Sequence, residues 1–437
     1  MFEFLRRSSP LWRHASFNRL WAAQALSAFG NRITRTALPI IAVTILSAGP
    51  VEAAILAALS LAPVILSGLF GGGFVERSNK LRLMVAMDLI RFTAVIAAPI
   101  AWYFQALSFP LLCILAAVCG LASALFANAD VSILPRLVGK DQLVEANSRL
   151  QSTESIAELT GPGVAGVLID LLTAPVAIIV DAMTFLWSAF WLFRIPKEAG
   201  SASELAKVET MEQAARPSAI AALRDDFVIG FRAIAQRPPL IATALSVGVF
   251  YLTAGAFGAL YTIFMLRDLG LSPSFMGIII SVGGASALLG SLTARPLAKR
   301  VGFGPAIVLG FAIALTGMLM LIPAAYAGPW SPVFMVAQQL FGDAGFMIFV
   351  ILSTSLSQKL LPEHEIARAN AFNQVISGIA MTASIVGAGA IAEAIGVRTT
   401  IVWASALGAL GLVPLLTPAL LRMREEPAHA AEGQMAD

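Results

Sequence analysis

Residues 109–131 read FPLLCILAAVCGLASALFANADV, and the first charge in the run is Asp130. A helix rises about 1.5 Å per residue, so about twenty such residues cross a hydrocarbon layer of about 30 Å. No other open structure satisfies its backbone in lipid, and the stretch reads as a membrane-spanning helix. The same ruler finds spans near 20–46, 52–74, 83–105, 143–170 and 174–194, then near 239–264, 274–294, 304–326, 332–357, 367–392 and 398–421. Composition agrees. Of 437 residues, 58% are hydrophobic and 13% charged, against roughly 25% charged in soluble domains. Mean hydropathy is +0.82. So few charges cannot cover a water-soluble surface of this size.

The polar loops carry a repeat. LVGKDQLVEAN at 137–147 lies over LLPEHEIARAN at 360–370, with Gln151 over Gln374 and Ala165-Gly166 over Ala388-Gly389. Gly72, Glu76-Arg77 and Arg82 lie over Gly290, Ala294-Arg295 and Arg300, and Ala25-Leu26-Ser27 over Ala244-Leu245-Ser246. The expected fold is all-α: twelve transmembrane helices in two pseudo-symmetric six-helix bundles. Residues 1–196 form the first bundle. Residues 197–237, too polar to span, form a cytoplasmic linker read as disordered. Residues 238–437 form the second bundle with a short cytoplasmic tail. Parallel copies of this kind place a substrate site near the midplane, between halves that rock.

Charge orients the chain. Of 29 Lys and Arg, Arg267 and Arg398 fall on one side and Arg32 and Arg35 inside a span, leaving 25 on the other side. By the positive-inside rule both ends are cytoplasmic. The basic start (Arg6, Arg7, Arg13, Arg19) leads into a retained helix and not a cleaved signal. Alanine-rich composition without a targeting segment suggests a bacterial inner membrane, with the bilayer itself as partner.

Several chemistries are excluded. The net charge of +3 is scattered, which argues against nucleic acid. His14, His364 and His429 fall in loops or tails, and Cys113 and Cys119 sit six apart in one apolar run. No metal or other cofactor is expected from such spacing. No phosphate-binding loop occurs, since no Lys-Ser/Thr follows Gly71-Gly72-Gly73. Nothing resembles an intramembrane catalytic set, and no soluble output domain suits a sensor.

The loop after the second span reads GGFVERSNKLR from Gly72, followed by Asp88 and Arg91. It resembles the cytoplasmic signature loop of the major facilitator superfamily, with Glu76 in place of the usual Asp. That resemblance implies a conformational latch at Gly72, Glu76, Arg77, Lys80, Asp88 and Arg91. Its second-half copy has lost the acid, at Ala294. Gly161-Pro162-Gly163-Val164-Ala165-Gly166 looks like the fifth-helix signature of exporters in that superfamily. Pro162 would bend the axis, and Gly161 and Gly166 would allow close helix approach. FNRLW at 17–21, VDA at 180–182 and FVIGFR at 227–232 resemble the branch of macrolide-efflux and enterobactin-type siderophore exporters. That branch usually has Gly-Asp in its first helix, and this chain has Gly30-Asn31.

Ionisable groups within the bilayer are costly and persist when paired or functional. Arg32 and Arg35 share a face of span one, and Glu154 and Glu158 share a face of span five. Asp343 stands in span ten. By resemblance, spans one, four, seven and ten line the central cavity. Substrate contacts are then expected from Asn31, Arg32, Arg35, Tyr251 and Gln339. The coupling proton falls to Asp343, Glu158 or Glu154. Alternatively the arginines neutralise the glutamates as a structural knot, which leaves Asp343 as the carrier. The function expected is proton-coupled export of an amphipathic small molecule by a monomer. Uptake or facilitated diffusion of a small anion or lipid stays open. A non-transporting sensor or enzyme is the distant alternative.

Overall fold

The computed structural model describes Leu11 and residues 14–139, 142–196 and 219–424, with backbone alone at 62, 64–74, 76, 77, 219–226 and 364. Among these residues the long elements are helices and there is no strand. In chain order they are α1 Ala15–Thr44, α2 Pro50–Arg77, α3 Lys80–Tyr103, α4 Phe109–Val138, α5 Leu143–Leu172, α6 Ala174–Phe193 and α7 Ala219–Ala235. Then come α8 Pro238–Ile263, α9 Pro273–Val301, α10 Phe303–Leu319, α11 Ser331–Leu360, α12 Glu363–Ile395 and α13 Val397–Leu407.

Among the described residues, ten of the expected spans are helices long and apolar enough to cross a membrane: α3 to α6 and α8 to α13, some with short helical extensions. α1 is thirty residues long but is not among them. Asn18, Gln24, Asn31, Arg32 and Arg35 lower its hydropathy, a first sign that this helix serves chemistry as well as packing. The described apolar part of α2 is Pro50–Leu61.

Local signals set the helix ends. The Asn79 side chain accepts from Arg82 N at 3.1 Å and starts α3. Prolines occupy the first turns of α4, α6, α8 and α11, where a missing N–H costs nothing. The α12–α13 turn runs through Gly396 at φ 88°, ψ 151°. Its counterpart between α5 and α6 is Thr173 at φ 75°, ψ 153°, a conformation that suits glycine.

The chain divides into two compact units. Unit 1 holds Met1–Ala48, Ile55–Ala215 and Ser272–Ile278. Unit 2 holds Gly49–Ala54, Arg216–Leu271 and Ile279–Asp437. In unit 1, α6 packs on α1 and α3, and α1 on α5. One core there gathers Phe17, Leu20, Met84, Ile133 and Leu192. In unit 2, α10 packs on α11 and α8 on α12, around Phe303, Phe311, Phe349 and Leu356.

Part of the stretch read as disordered linker is helical. α7 lays Phe227 and Phe231 against Phe372 of α12, with ring centroids 4.8 and 5.7 Å apart. Arg237 pairs with Glu365 at 3.2 Å. The polar composition of 197–237 reflects its first half, and residues 197–218 lie outside the described residues. The apolar positions of 219–235 are enough to dock a helix on α12.

Candidate functional site

α1 and α5 bring the predicted charges of unit 1 together. Arg32 pairs with Glu154 at 2.5 Å and with Glu158 at 3.7 Å, its own side chain 14% exposed. Gly161, on the same helix as the glutamates, makes room for it. A Cβ there would sit 2.7–2.8 Å from the Arg32 Cγ and Cβ. Arg35, one turn along, is exposed and faces the same two glutamates without a direct hydrogen bond or ion pair among the described residues. Thus one arginine is engaged by the glutamates and the other is open. Asn31 is half-buried beside them.

Just along α1 from this pair is a groove of about 360 Å³ between α1, α4 and α5. Trp21, Gln24, Asp130, Asn147, Gln151 and Glu154 line it. Gln24 Nε2 donates to Asp130, and Trp21 Nε1 donates to Thr153 Oγ1 at 3.0 Å. Unit 2 has a groove of about 480 Å³ between α8, α11 and α12, lined by Thr243, Tyr251, Ser353, Asn370, Gln374 and Ser377 among others.

The two grooves are lined in part by residues that the sequence repeat pairs. The register that places Asn147 over Asn370 and Gln151 over Gln374 also places Asp130 over Ser353 and Glu154 over Ser377. The α1 register places Gln24 over Thr243 and Arg32 over Tyr251. Both grooves therefore present the same amides. The charges belong to unit 1, while unit 2 offers hydroxyls and aromatic faces, with Phe250 stacked on Phe346 at 3.8 Å.

Asp343 and Gln339 are not among the residues lining the unit 2 groove that holds Tyr251. Gln339 is buried, and its carbonyl accepts from Ser286 Oγ at 2.8 Å. The half-buried Asp343 carboxylate lies with it against Gly283 of α9, where a Cβ would collide with both side chains. Tyr261 donates to Gln338 at 2.8 Å nearby. The expected grouping of Tyr251, Gln339 and Asp343 is thus split between a groove and a helix–helix seam.

The signature-loop residues separate similarly. Gly72, Glu76 and Arg77 lie on α2, where their side chains fall outside what is described. Lys80 is buried and donates to Val75 O at 2.6 Å and Ser78 O at 3.2 Å. Asp88 and Arg91 form a fully buried ion pair inside unit 1. The Arg91 guanidinium is 4.5 Å from both the Phe126 and Phe185 ring centroids. Such a position fixes the interior of the unit.

α5 continues as helix through Pro162. Gly166 and the Pro162 carbonyl meet the backbone of Pro273 and Gly277 at the start of α9, a segment of unit 1. Asp170 Oδ2 accepts from Ser274 N at 3.0 Å and caps that helix. Sequence reasoning missed Asp170, as it missed Asp181 of α6, which is fully buried. The signal available for each was a single acid near or within an apolar run, which does not say what faces it.

The family model described as Major Facilitator Superfamily matches residues 20–385 and 243–435. The chain belongs to that superfamily. This Major Facilitator Superfamily chain is therefore a multi-pass membrane transporter of small molecules and not an enzyme. It is 25% identical over 413 residues to the uncharacterized MFS-type transporter YfiS of Bacillus subtilis (strain 168), covering 93% of this chain and 94% of that one. It is 27% identical to macrolide efflux protein A of Streptococcus pyogenes over 186 residues, 41% of this chain and 45% of that one. Among solved structures, a bacterial homologue of the iron transporter ferroportin in an inward-facing state superposes with a TM-score of 0.74 at 15% identity. The match covers 93% of this chain and 99% of that one, and at this identity it speaks to the fold.

Proposed function

We propose that this superfamily member is a proton-coupled exporter of an amphipathic small organic molecule, working by alternating access through twelve transmembrane helices. The carrying observation is the pair of repeat-related grooves with matched amides and unmatched charges. An amphipathic cargo needs polar anchoring at one end and tolerant apolar or aromatic contact at the other. The unit 1 groove offers charges and amides beside Trp21 and Leu134, and the unit 2 groove offers amides and hydroxyls beside Tyr251 and Phe346, so each combines polar and apolar contact. Partial similarity to macrolide efflux protein A supports the outward direction.

In this reading Arg35, with Arg32 and Asn31, attracts an anionic or carbonyl-rich part of the cargo, and Tyr251 contacts its apolar part. Glu154 and Glu158 are held by Arg32, so Asp343 is the carrier of the coupling proton on this account. Gln339 supports Asp343 without touching cargo. The chain functions as a monomer in a bacterial inner membrane with both termini cytoplasmic. One observation favours a second reading. An exposed Arg35 with no direct partner among the described residues equally suits facilitated diffusion of a small anion.

The test is dissipation of an imposed pH gradient in everted vesicles by a panel of macrolides, siderophores and lipophilic ions. The proposal expects at least one compound to collapse the gradient with wild type and not with Asp343→Asn, while Glu158→Gln behaves as wild type. Counterflow of a compound with no proton movement would establish the facilitator reading instead.

A further inference from the structure

The interior of unit 1 holds an acid that neither groove uses. Asp181 is fully buried on α6. The Thr184 hydroxyl lies 2.8 Å from the Asp181 carbonyl oxygen and 3.0 Å from Asp181 Oδ1. A hydroxyl has one hydrogen to give. When the carbonyl takes it, the second contact is a hydrogen bond if the carboxyl supplies a proton, and a repulsion if it does not. Asp181 Oδ2 is buried, and the side chain that adjoins the carboxyl from α1 is the equally buried Thr34 hydroxyl, close enough to act as its hydrogen-bond partner.

No ion pair reaches Asp181 among the described residues. The groups that face it can be named. From α3 come Asp88 and Arg91, which bind each other. From α4 comes the Cys119 thiol. From α1 come Thr34 and the backbone at Gly30. On α5, Glu154 and Glu158 are engaged by Arg32. Among the described residues, two buried acids therefore share one cation, Arg91, and its ion pair is with Asp88. An uncompensated carboxylate is far costlier to bury than the neutral acid.

The contact with α1 links this acid to the groove. A Cβ on Gly30 would collide with Asp181 Oδ1 and with Thr184, so the α1 backbone rests on the carboxyl two residues before Arg32. A charged Asp181, with no cation of its own among the described residues, draws water to itself and disturbs that seat. A neutral one lets α1 close over it.

We propose that Asp181 is a proton-binding site inside unit 1, holding its proton between Thr184 and Thr34 while α1 is seated and giving it up when α1 shifts. The proton arrives from hydronium, forming an O–H bond on the carboxyl and leaving water, and departs by the reverse step. This proposal rests on the proton-coupled reading above but assigns proton binding to a residue other than Asp343, Glu154 and Glu158.

The test needs no transported compound. The full chain is reconstituted in lipid, and infrared difference spectra between low and high pH record the carbonyl stretch of protonated carboxyl groups. A titrating band present in wild type and lost in Asp181→Asn is expected, with its midpoint shifted in Thr34→Val. Identical titrating bands in wild type and Asp181→Asn overturn the site. Should Asp181→Asn fail to fold, Thr34→Val decides, and a band set unmoved by that change overturns it too. The gradient assay separates the two proposals. Compound-driven proton flux without an Asp181 band sinks this site and leaves the exporter standing. An Asp181 band without such flux supports the site and sinks the exporter.

Discussion

Replacing Arg91 with methionine removes the counter-charge of a buried acid while keeping most of the side-chain volume. The Asp88 and Arg91 side chains are 0% and 3% exposed, so water cannot replace the lost partner. Removing one partner of a buried pair destabilises by about 3–5 kcal/mol. The guanidinium also contacts Phe126 and Phe185, and such cation–π contacts contribute about 0.5–2 kcal/mol. Arg91→Met therefore falls at the upper end of the first range. For a unit of roughly 150–250 residues, each kcal/mol moves Tm by about 2–4 °C, so a loss of about 5 kcal/mol drops the midpoint by roughly 10–20 °C. Asp88→Asn combined with Arg91→Met removes both charges and recovers most of this, since an apolar replacement of a buried pair is often close to neutral. Arg91→Lys recovers little, because an ammonium cannot lie flat between two rings. The assay is intrinsic tryptophan fluorescence during heating of detergent-solubilised protein. A double variant no more stable than Arg91→Met refutes the reasoning, because the loss would then not come from a stranded Asp88.

Thr173→Gly should raise the melting midpoint in the same assay. Relief of a left-handed threonine, about 1–3 kcal/mol, exceeds the entropy that glycine adds to the unfolded chain, about 0.4–1 kcal/mol. An unchanged or lower midpoint contradicts strain at this turn. Glu154→Gln should change stability by no more than about 1 kcal/mol, because the Glu154 side chain is 47% exposed and lines an open groove. It leaves Arg32 with only the longer Glu158 contact, however, so cargo affinity should shift more than with Glu158→Gln, and equal effects in a binding titration would count against it. Gln151→Ala and Gln374→Ala lie in separate grooves and should each weaken binding, with effects that add to within about 0.5 kcal/mol in the double variant. If either is silent, that groove does not bind cargo.

The all-helical membrane fold was legible because lipid imposes a length rule, which ten helices meet among the described residues. The span expected at 109–131 begins at the first residue of α4, which runs on to Val138 since a helix need not stop where the hydrocarbon does. α7 escaped because charge averaged over 197–237 concealed the apolar positions of 219–235. The Arg32–Glu154–Glu158 cluster was legible from spacing, since each set of charges shares a helix face and neither face tolerates lipid. Spacing along one helix does not say which neighbour faces it. Gln339 and Asp343 therefore looked like cavity residues, although α9 covers them at Gly283. Asp181 was quoted as part of a motif with no chemistry attached. Its surroundings depend on Gly30, which lies some 150 residues earlier on another helix.

Accumulation of a compound inside everted vesicles, with and without an ionophore that abolishes the proton gradient, tests the central claim most directly. The account predicts uphill accumulation that disappears when the gradient does and is absent in vesicles carrying Asp343→Asn. Equilibration to equal concentrations on both sides, unaffected by the ionophore, would contradict proton-coupled export and leave a facilitator.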